Sequence, residues 1–366
     1  MKFQLYNKFW RRVHQHAQSR GFPLRVMFEL TYACNFFCKH CYVPPSYKEK
    51  SKRDELSTKE VFYVLDQLAD IGCLYLGFTG GEPFMRPDIM DIFWYAKRKG
   101  FEIIIYTNGY FIDQRIAAEL ARLGPNKVDI TIPAISRSAF ERICGVAGCK
   151  ERIFRAIELL HQQKVPLGFK SCVLKENQDE IKMIEEYAQL LGIPYRLDNI
   201  LSPRLDGSKE PYRYRGYCQD ETYAEARQGK TEFINCDIKK GNPKRISQNL
   251  FSCGVGQTQA AITPLGELKM CVMIDYPKYK IHTEERKQST GNGEQVVSLK
   301  EAWERMKELV ASIQIDESFQ CNKCELAPDC RWCPARGWLE SKNFLSCDPQ
   351  NKQFAQLRKE RYELVC

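Results

Sequence analysis

The chain has 366 residues, 43% of them apolar and 28% charged, enough for a barrel-sized domain with a smaller module and a sizeable buried core. No apolar run approaches the roughly 18 residues of a bilayer span, and the N-terminal MKFQLYNKFWRRVHQH carries charges where a secretory signal needs a continuous apolar core; a cytoplasmic protein is expected. The net charge of +9 comes from scattered Lys and Arg, the pattern of a solvated basic surface that attracts an acidic peptide or an anionic cofactor rather than of a nucleic-acid binder.

In chain order, residues 1–23 read as a short amphipathic leader ending at Gly21 and Pro23. Leu24 to Glu29 is a first strand, and it delivers the cysteine-rich TYACNFFCKHCY at its C-terminal end. After the polar stretch Tyr47 to Asp54, a capping box from Ser57 to Glu60 opens a helix to about Ile71. A strand over Leu74–Thr79 and a helix over Pro87–Lys99, with Gly100 just beyond, come next. Strand Glu102–Tyr106, helix Asp113–Leu123, strand Val128–Ile132 and helix Glu151–Gln163 follow, then strand Leu167–Val173, helix Asp179–Leu191 and strand Tyr195–Leu201. This alternation predicts an α/β fold with parallel strands and right-handed crossovers, open or curled into a partial barrel, with its site at the C-terminal strand ends. Ser202 to Leu250, rich in Tyr, Arg, Lys and Gly, reads as a linker and substrate-facing loop. Residues 251–348 are cysteine-rich and include an amphipathic helix over Ser298–Ile313; a charged helix over Pro349–Leu364 closes the chain.

Seventeen cysteines in a reducing compartment point to metal or catalysis rather than to disulfides. Cys34, Cys38 and Cys41 form a C-x3-C-x2-C arrangement. Three thiolates on a short loop leave one coordination position open for something that is not protein. A zinc knuckle completed by His40 is the plain alternative. One strand later stands Thr79-Gly80-Gly81-Glu82-Pro83, in which paired glycines permit close backbone approach and a carboxylate can accept hydrogen bonds from an ammonium group. A simple Gly-Gly turn before a helix is its structural alternative.

Taken together and in this order, the two motifs resemble those of radical S-adenosylmethionine (SAM) enzymes. The resemblance implies a partial (β/α)6 barrel over 24–201, a [4Fe-4S] cluster held by Cys34, Cys38 and Cys41, and SAM chelated at the unique iron. It places His40 near the adenine and Gly80, Gly81, Glu82 and Pro83 at the methionine amino group. Asn108 lies where the family writes TNG, and Thr131 where a polar strand residue lies near the carboxylate or ribose. The implied chemistry is one-electron cleavage of SAM to a 5′-deoxyadenosyl radical that abstracts hydrogen, with a flavodoxin- or ferredoxin-type donor as reductant.

The second cysteine set comprises Cys253, Cys271, Cys321, Cys324, Cys330, Cys333 and Cys347. Two zinc knuckles would account for the C-x2-C pairs, but only five residues separate those pairs and the set overshoots one four-thiolate site. The pattern resembles the SPASM extension of radical SAM enzymes, with two auxiliary [4Fe-4S] clusters, although two residues rather than three separate Cys330 from Cys333. Carried over by position, Cys253, Cys271 and Cys333 serve one cluster, and Cys321, Cys324, Cys330 and Cys347 the other. The fourth ligand of the first is either Cys236 or an open iron. Outside the motifs, Cys218 and Cys236 of the linker are the candidates for a catalytic role, as hydrogen donor or ligand, while Cys73, Cys144, Cys149, Cys172 and Cys366 read mostly as small buried hydrophobes. The resemblance implies action on a ribosomally made peptide or protein by oxidation, cross-linking or epimerisation. Oxidation of a tetrapyrrole or other small molecule is the alternative. A non-enzymatic electron-transfer protein is a third, against which the GGEP phrase argues.

Overall fold

The computed structural model describes residues 2–216, 250–251, 253–283, 295–317, 319–330 and 332–365. It begins with helix α1 (Lys2–Arg20), strand β1 (Arg25–Thr31), helices α2 (Pro45–Asp54) and α3 (Thr58–Asp70), and strand β2 (Tyr75–Gly80). Helix α4 (Ile89–Arg98), strand β3 (Glu102–Thr107), helix α5 (Gln114–Leu123) and strand β4 (Lys127–Thr131) continue the alternation. Two helices, α6 (Arg137–Cys144) and α7 (Cys149–Gln162), precede β5 (Leu167–Cys172); α8 (Ile181–Leu190) precedes β6 (Tyr195–Asp198). The C-terminal part adds β7 (Gln259–Ile262), β8 (Glu267–Cys271), β9 (Ile274–Ile281), β10 (Val296–Val297), and helices α9 (Leu299–Ser312), α10 (Pro334–Ser341) and α11 (Pro349–Val365).

Local signals explain most starts and stops. Ser57 and Glu60 make the reciprocal capping box of α3. Asp113 caps α5, whose end is closed by Gly124 in the left-handed region at φ 61°. Ser298 caps α9 through the Glu301 amide. Two helices depart from the expectation. The segment of α2 was expected as a polar stretch without an element; it carries no apolar stripe and starts from Pro45 at a first-turn position. Helix α6 spans eight residues between Ser136 and Gly145, too short for a clear period.

The sheet runs β10-β9-β8-β7-β1-β2-β3-β4-β5-β6. Strands β1 to β6 are parallel neighbours in sequence order. Beyond β1 the same sheet continues: β7 pairs parallel with β1, and β8 and β9 add antiparallel. The expected cysteine-rich region therefore extends the barrel's own sheet. Its strands are absent from the sequence-based expectation, because β7 and β8 have only four and five residues and the eight-residue β9 contains Pro277.

The outer face of the sheet holds the main core, with Val26, Phe28, Phe78, Ile103, Ile105, Val128, Ile130 and Phe169 all buried beneath helices. Alternate residues face the other way, so Glu29, Tyr106, Asp129, Lys170 and Arg196 are on the inner face. Among the described residues, no helix is long and apolar enough to cross a membrane.

Candidate active site

The cysteine loop leaves β1 at Thr31, at the C-terminal edge of the parallel strands. Its first turn is held by Glu55, which accepts from the Thr31 hydroxyl at 3.0 Å and the Tyr32 amide at 2.7 Å. The GGEP turn at the end of β2 packs on it directly. The Gly81 amide donates to Thr31 O at 2.7 Å, and the Glu82 amide to Ala33 O at 2.8 Å. A Cβ on Gly81 would lie 2.2 Å from Ala33 O, and Gly80 sits at φ 128° with a Cβ position 2.2 Å from Thr31 O. The paired glycines are required for contact between these two backbones, whatever the loop also binds.

The far side of the loop rests on the end of α6, where the Phe37 and Lys39 amides donate to Cys144 O and Ile143 O at 2.9 and 3.2 Å. Lys48 donates to Phe36 O at 2.9 Å, and its positive field reaches Cys34, Cys38 and Cys41. Burial pushes the Cys34 thiol up to about 12 and also raises Cys41. Cys38 is held low, chiefly by hydrogen bonding from the Cys144 thiol. Burial pushes His40 down to about 4, so its ring is neutral near pH 7, and Nδ1 is buried without a partner among the described residues.

Glu82 is fully buried, and its carboxylate binds the three motifs into one network. Oε1 accepts from the Thr107 hydroxyl at 2.7 Å and the Phe84 amide at 3.1 Å, while Oε2 accepts from the Asn108 amide at 2.7 Å. A carboxylate offers about four acceptor sites, so roughly one is left for an external donor. Burial raises this carboxyl to about 7 against the pull of those bonds. Asn108 continues the network by donating from Nδ2 to Asn35 Oδ1 at 2.8 Å. The Asn35 Nδ2 is buried with no partner among the described residues. Asn35 lies inside the cysteine motif, but nothing in the spacing singles it out.

A second feature is not apparent from sequence patterns. Glu29 and Lys269, with side chains 0% and 1% exposed, pair at 2.8 Å across the inner face. Tyr42, next to Cys41, donates to Glu29 Oε1 at 2.9 Å, and Lys269 stands two residues before Cys271. The pair thus bridges the strand that feeds the first cysteine loop and the strand that ends at the second set. Its only sequence signal is a charge within each short apolar strand.

In the C-terminal region the structure brings Cys271 into the electrostatic reach of Cys333 and Cys253, and burial pushes its thiol up to about 12. Cys321 lies in reach of Cys330, Cys347 and Cys324 and is also pushed up to about 12 by burial. Cys347 is exposed. Thr131 lies on the inner face beside Lys170. Cys218 and Cys236 lie outside the described residues.

The donor chemistry fits the implied groups. Cys34, Cys38 and Cys41 lie on one loop, with Cys38 in electrostatic reach of the other two and Lys48 offsetting thiolate charge at all three, although among the described residues no three such side chains are gathered closely enough to hold a metal ion. Beside them, the unpartnered Asn35 Nδ2 and the neutral His40 ring are available to a polar, aromatic ligand such as SAM.

Comparison with known proteins agrees. The sequence model of the Radical SAM superfamily matches residues 28–188. The AdoMet-dependent heme synthase of Methanosarcina barkeri is 24% identical over 352 residues, covering 89% of this chain and 95% of that protein. The PqqA peptide cyclase of Gluconobacter oxydans is 29% identical over 170 residues, but the match covers only 46% of this chain and 47% of the cyclase. Among solved structures, SuiB of Streptococcus suis bound to its precursor peptide SuiA has a TM-score of 0.63 at 15% identity, covering 88% of this chain and 74% of SuiB. Residues 28–188, somewhat under half of the chain, are therefore a radical SAM domain.

Proposed function

We propose that the protein modifies a ribosomally made peptide or protein by hydrogen abstraction, leading to oxidation, cross-linking or epimerisation. What supports this reading is the likeness of nearly the whole fold to SuiB, whose structure includes a precursor peptide, together with a barrel relative named for peptide cyclisation. A second reading, oxidation of a tetrapyrrole, is favoured by the heme synthase relative, which the chain matches over almost its entire length.

When bound, SAM and the cluster supply the radical chemistry. The chain's residues hold and orient. Cys34, Cys38 and Cys41 supply the thiolates, and Lys48 offsets their charge. Gly80, Gly81 and Pro83 shape the turn against the cysteine loop, and Glu82 fixes Asn108, which in turn fixes Asn35. Glu82's remaining acceptor site and the Asn35 amide are the groups offered to the methionine end of SAM, His40 to its adenine, and Thr131 to its carboxylate or ribose. In the C-terminal region, Cys253, Cys271 and Cys333 would hold one auxiliary cluster, and Cys321, Cys324, Cys330 and Cys347 another. Cys236 is the candidate fourth ligand of the first; a role for it or Cys218 in returning a hydrogen atom is the alternative. The reductant is a flavodoxin- or ferredoxin-type protein, and the reducing cytoplasm is the compartment that suits so many thiols.

Anaerobic coexpression with a short peptide encoded beside the gene, followed by mass spectrometry, tests the reading. A mass change in the peptide that disappears when Cys34, Cys38 and Cys41 are changed to Ala is the expected result. An unmodified peptide, with turnover of iron coproporphyrin III instead, would replace the first reading by the second.

A further inference from the structure

The inner face carries an arrangement that cluster and SAM binding leave unexplained. Lys170 on β5 and Arg196 on β6 are direct cross-strand partners, and Thr131 is the next residue in the same row. Adjacent Phe169 fixes their orientation: it is buried and stacks on Tyr187 of α8, so Lys170 and Arg196 point to the opposite face. Lys170 Nζ lies 5.6 Å from the ring centroid of Tyr106, another inner-face residue.

Like charges directly opposite one another in a sheet are destabilising. Neither cation makes an ion pair among the described residues. The inner-face carboxylates nearest in the strands have other partners: Asp129 pairs with Lys127 at 3.1 Å, and Asp198 lies 3.8 Å from Arg336 of α10. The field of Lys170 reaches His40 and Cys38, and both cations act on Cys172, so the row opens toward the reacting end of the site. On the other flank of the same face, Lys269 has its own glutamate. Lys170 and Arg196 thus stand side by side as two partly exposed cations, an arrangement that leaves a place for an anion between them.

We propose that Lys170 and Arg196 anchor a carboxylate of the substrate, which makes the substrate a carboxylate-bearing one and brings the carbons next to that group toward the cysteine loop. The chemistry suits a Glu or Asp side chain of a peptide and the propionate of a tetrapyrrole alike. The inference rests on the radical SAM reading of the site, but its binding test does not depend on turnover.

Glutarate is the probe. Thermal melting of the anaerobically reconstituted, SAM-saturated protein is followed against glutarate concentration, with chloride holding ionic strength constant. Wild type should be stabilised by glutarate beyond chloride, because a ligand of the folded state raises the midpoint. Arg196→Gln and Lys170→Gln should each weaken the apparent glutarate affinity about tenfold, as expected for loss of one charge-assisted hydrogen bond. Arg196→Gln should keep its iron content and SAM affinity. Each variant removes one of two repelling charges, so melting in chloride alone should not fall.

Glutarate acting no better than chloride on wild type, or equally on wild type and Arg196→Gln, overturns the anchor. So does competition between glutarate and SAM, which would assign the row to SAM's own carboxylate. Competitors then separate the sources. Displacement of glutarate by a Glu-bearing synthetic peptide and not by its Gln counterpart supports both anchor and peptide reading. Displacement by iron coproporphyrin III alone keeps the anchor and removes the peptide reading, and displacement by neither overturns the anchor.

Discussion

The two cysteine regions are held by different means. The loop of Cys34, Cys38 and Cys41 is fastened on three sides by protein: Glu55 at its start, the GGEP turn beneath it and the end of α6 beyond it. Around Cys321, Cys324 and Cys330 the chain is instead two short 3-10 segments, Gln320–Lys323 and Ala327–Asp329, with local bonds such as Cys324 N to Cys321 O at 3.3 Å. Local turns of this kind are weakly determined on their own. Trp332 donates to Ser346 O at 2.9 Å, and Asp348 caps the start of α11, so the frame around the second set is tied down more firmly than its cysteine turns. The first loop is preorganised by the fold, whereas under the proposed function the C-terminal cysteine turns would gain their order from the clusters they hold.

Removing iron should sharpen that contrast most. Anaerobic chelation is expected to raise amide hydrogen exchange or protease cleavage over residues 319–347 by at least about tenfold, as for loss of a cross-link worth several kcal/mol, while the parallel strands stay protected. Equal exposure of both regions would show that the first loop is no better preorganised than the second.

The next effect breaks the bridge between the regions. Lys269→Met leaves the Glu29 carboxylate buried without its cation, which costs about 3–5 kcal/mol, whereas the double change with Glu29→Gln should regain most of the loss. Denaturant melts of the three proteins measure it. A single variant as stable as wild type would mean that the pair contributes no coupling between β1 and β8.

The smallest expected effect lies within the catalytic network. Glu82→Gln presents an amide nitrogen where a carboxylate oxygen accepted, leaving the Asn108 or Thr107 donor without an acceptor at a cost of about 1–3 kcal/mol. Its pH dependence has a definite sign. Folding raises this carboxyl from its ordinary value near 4.5 to about 7, so the folded state holds the proton more tightly. In the SAM-free protein, the wild-type stability relative to Glu82→Gln should therefore fall as pH rises from about 4.5 to about 7 and level off above. A difference that grows across this window would show that hydrogen bonding outweighs burial at Glu82.

The sequence by itself determined the local elements and the chemical groups. The capping box of α3, the six parallel strands and the cysteine spacings were legible because each is written in neighbouring residues, where periodicity and caps act. The strongly polar α2 and the eight-residue α6 were not, since α2 has no apolar stripe and the buried face of α6, Ala139, Phe140, Ile143 and Cys144, spans less than two full repeats. The motif GGEP could be read as ligand-facing, but only the fold shows that its glycines are needed where two backbones touch. Tertiary structure alone decided that β7, β8 and β9 extend the barrel sheet, that Glu29 meets Lys269 across 240 positions of sequence, and that Lys170 and Arg196 stand side by side. Such pairings depend on strand register and on which face each residue takes, and those are set by packing between segments far apart in the chain.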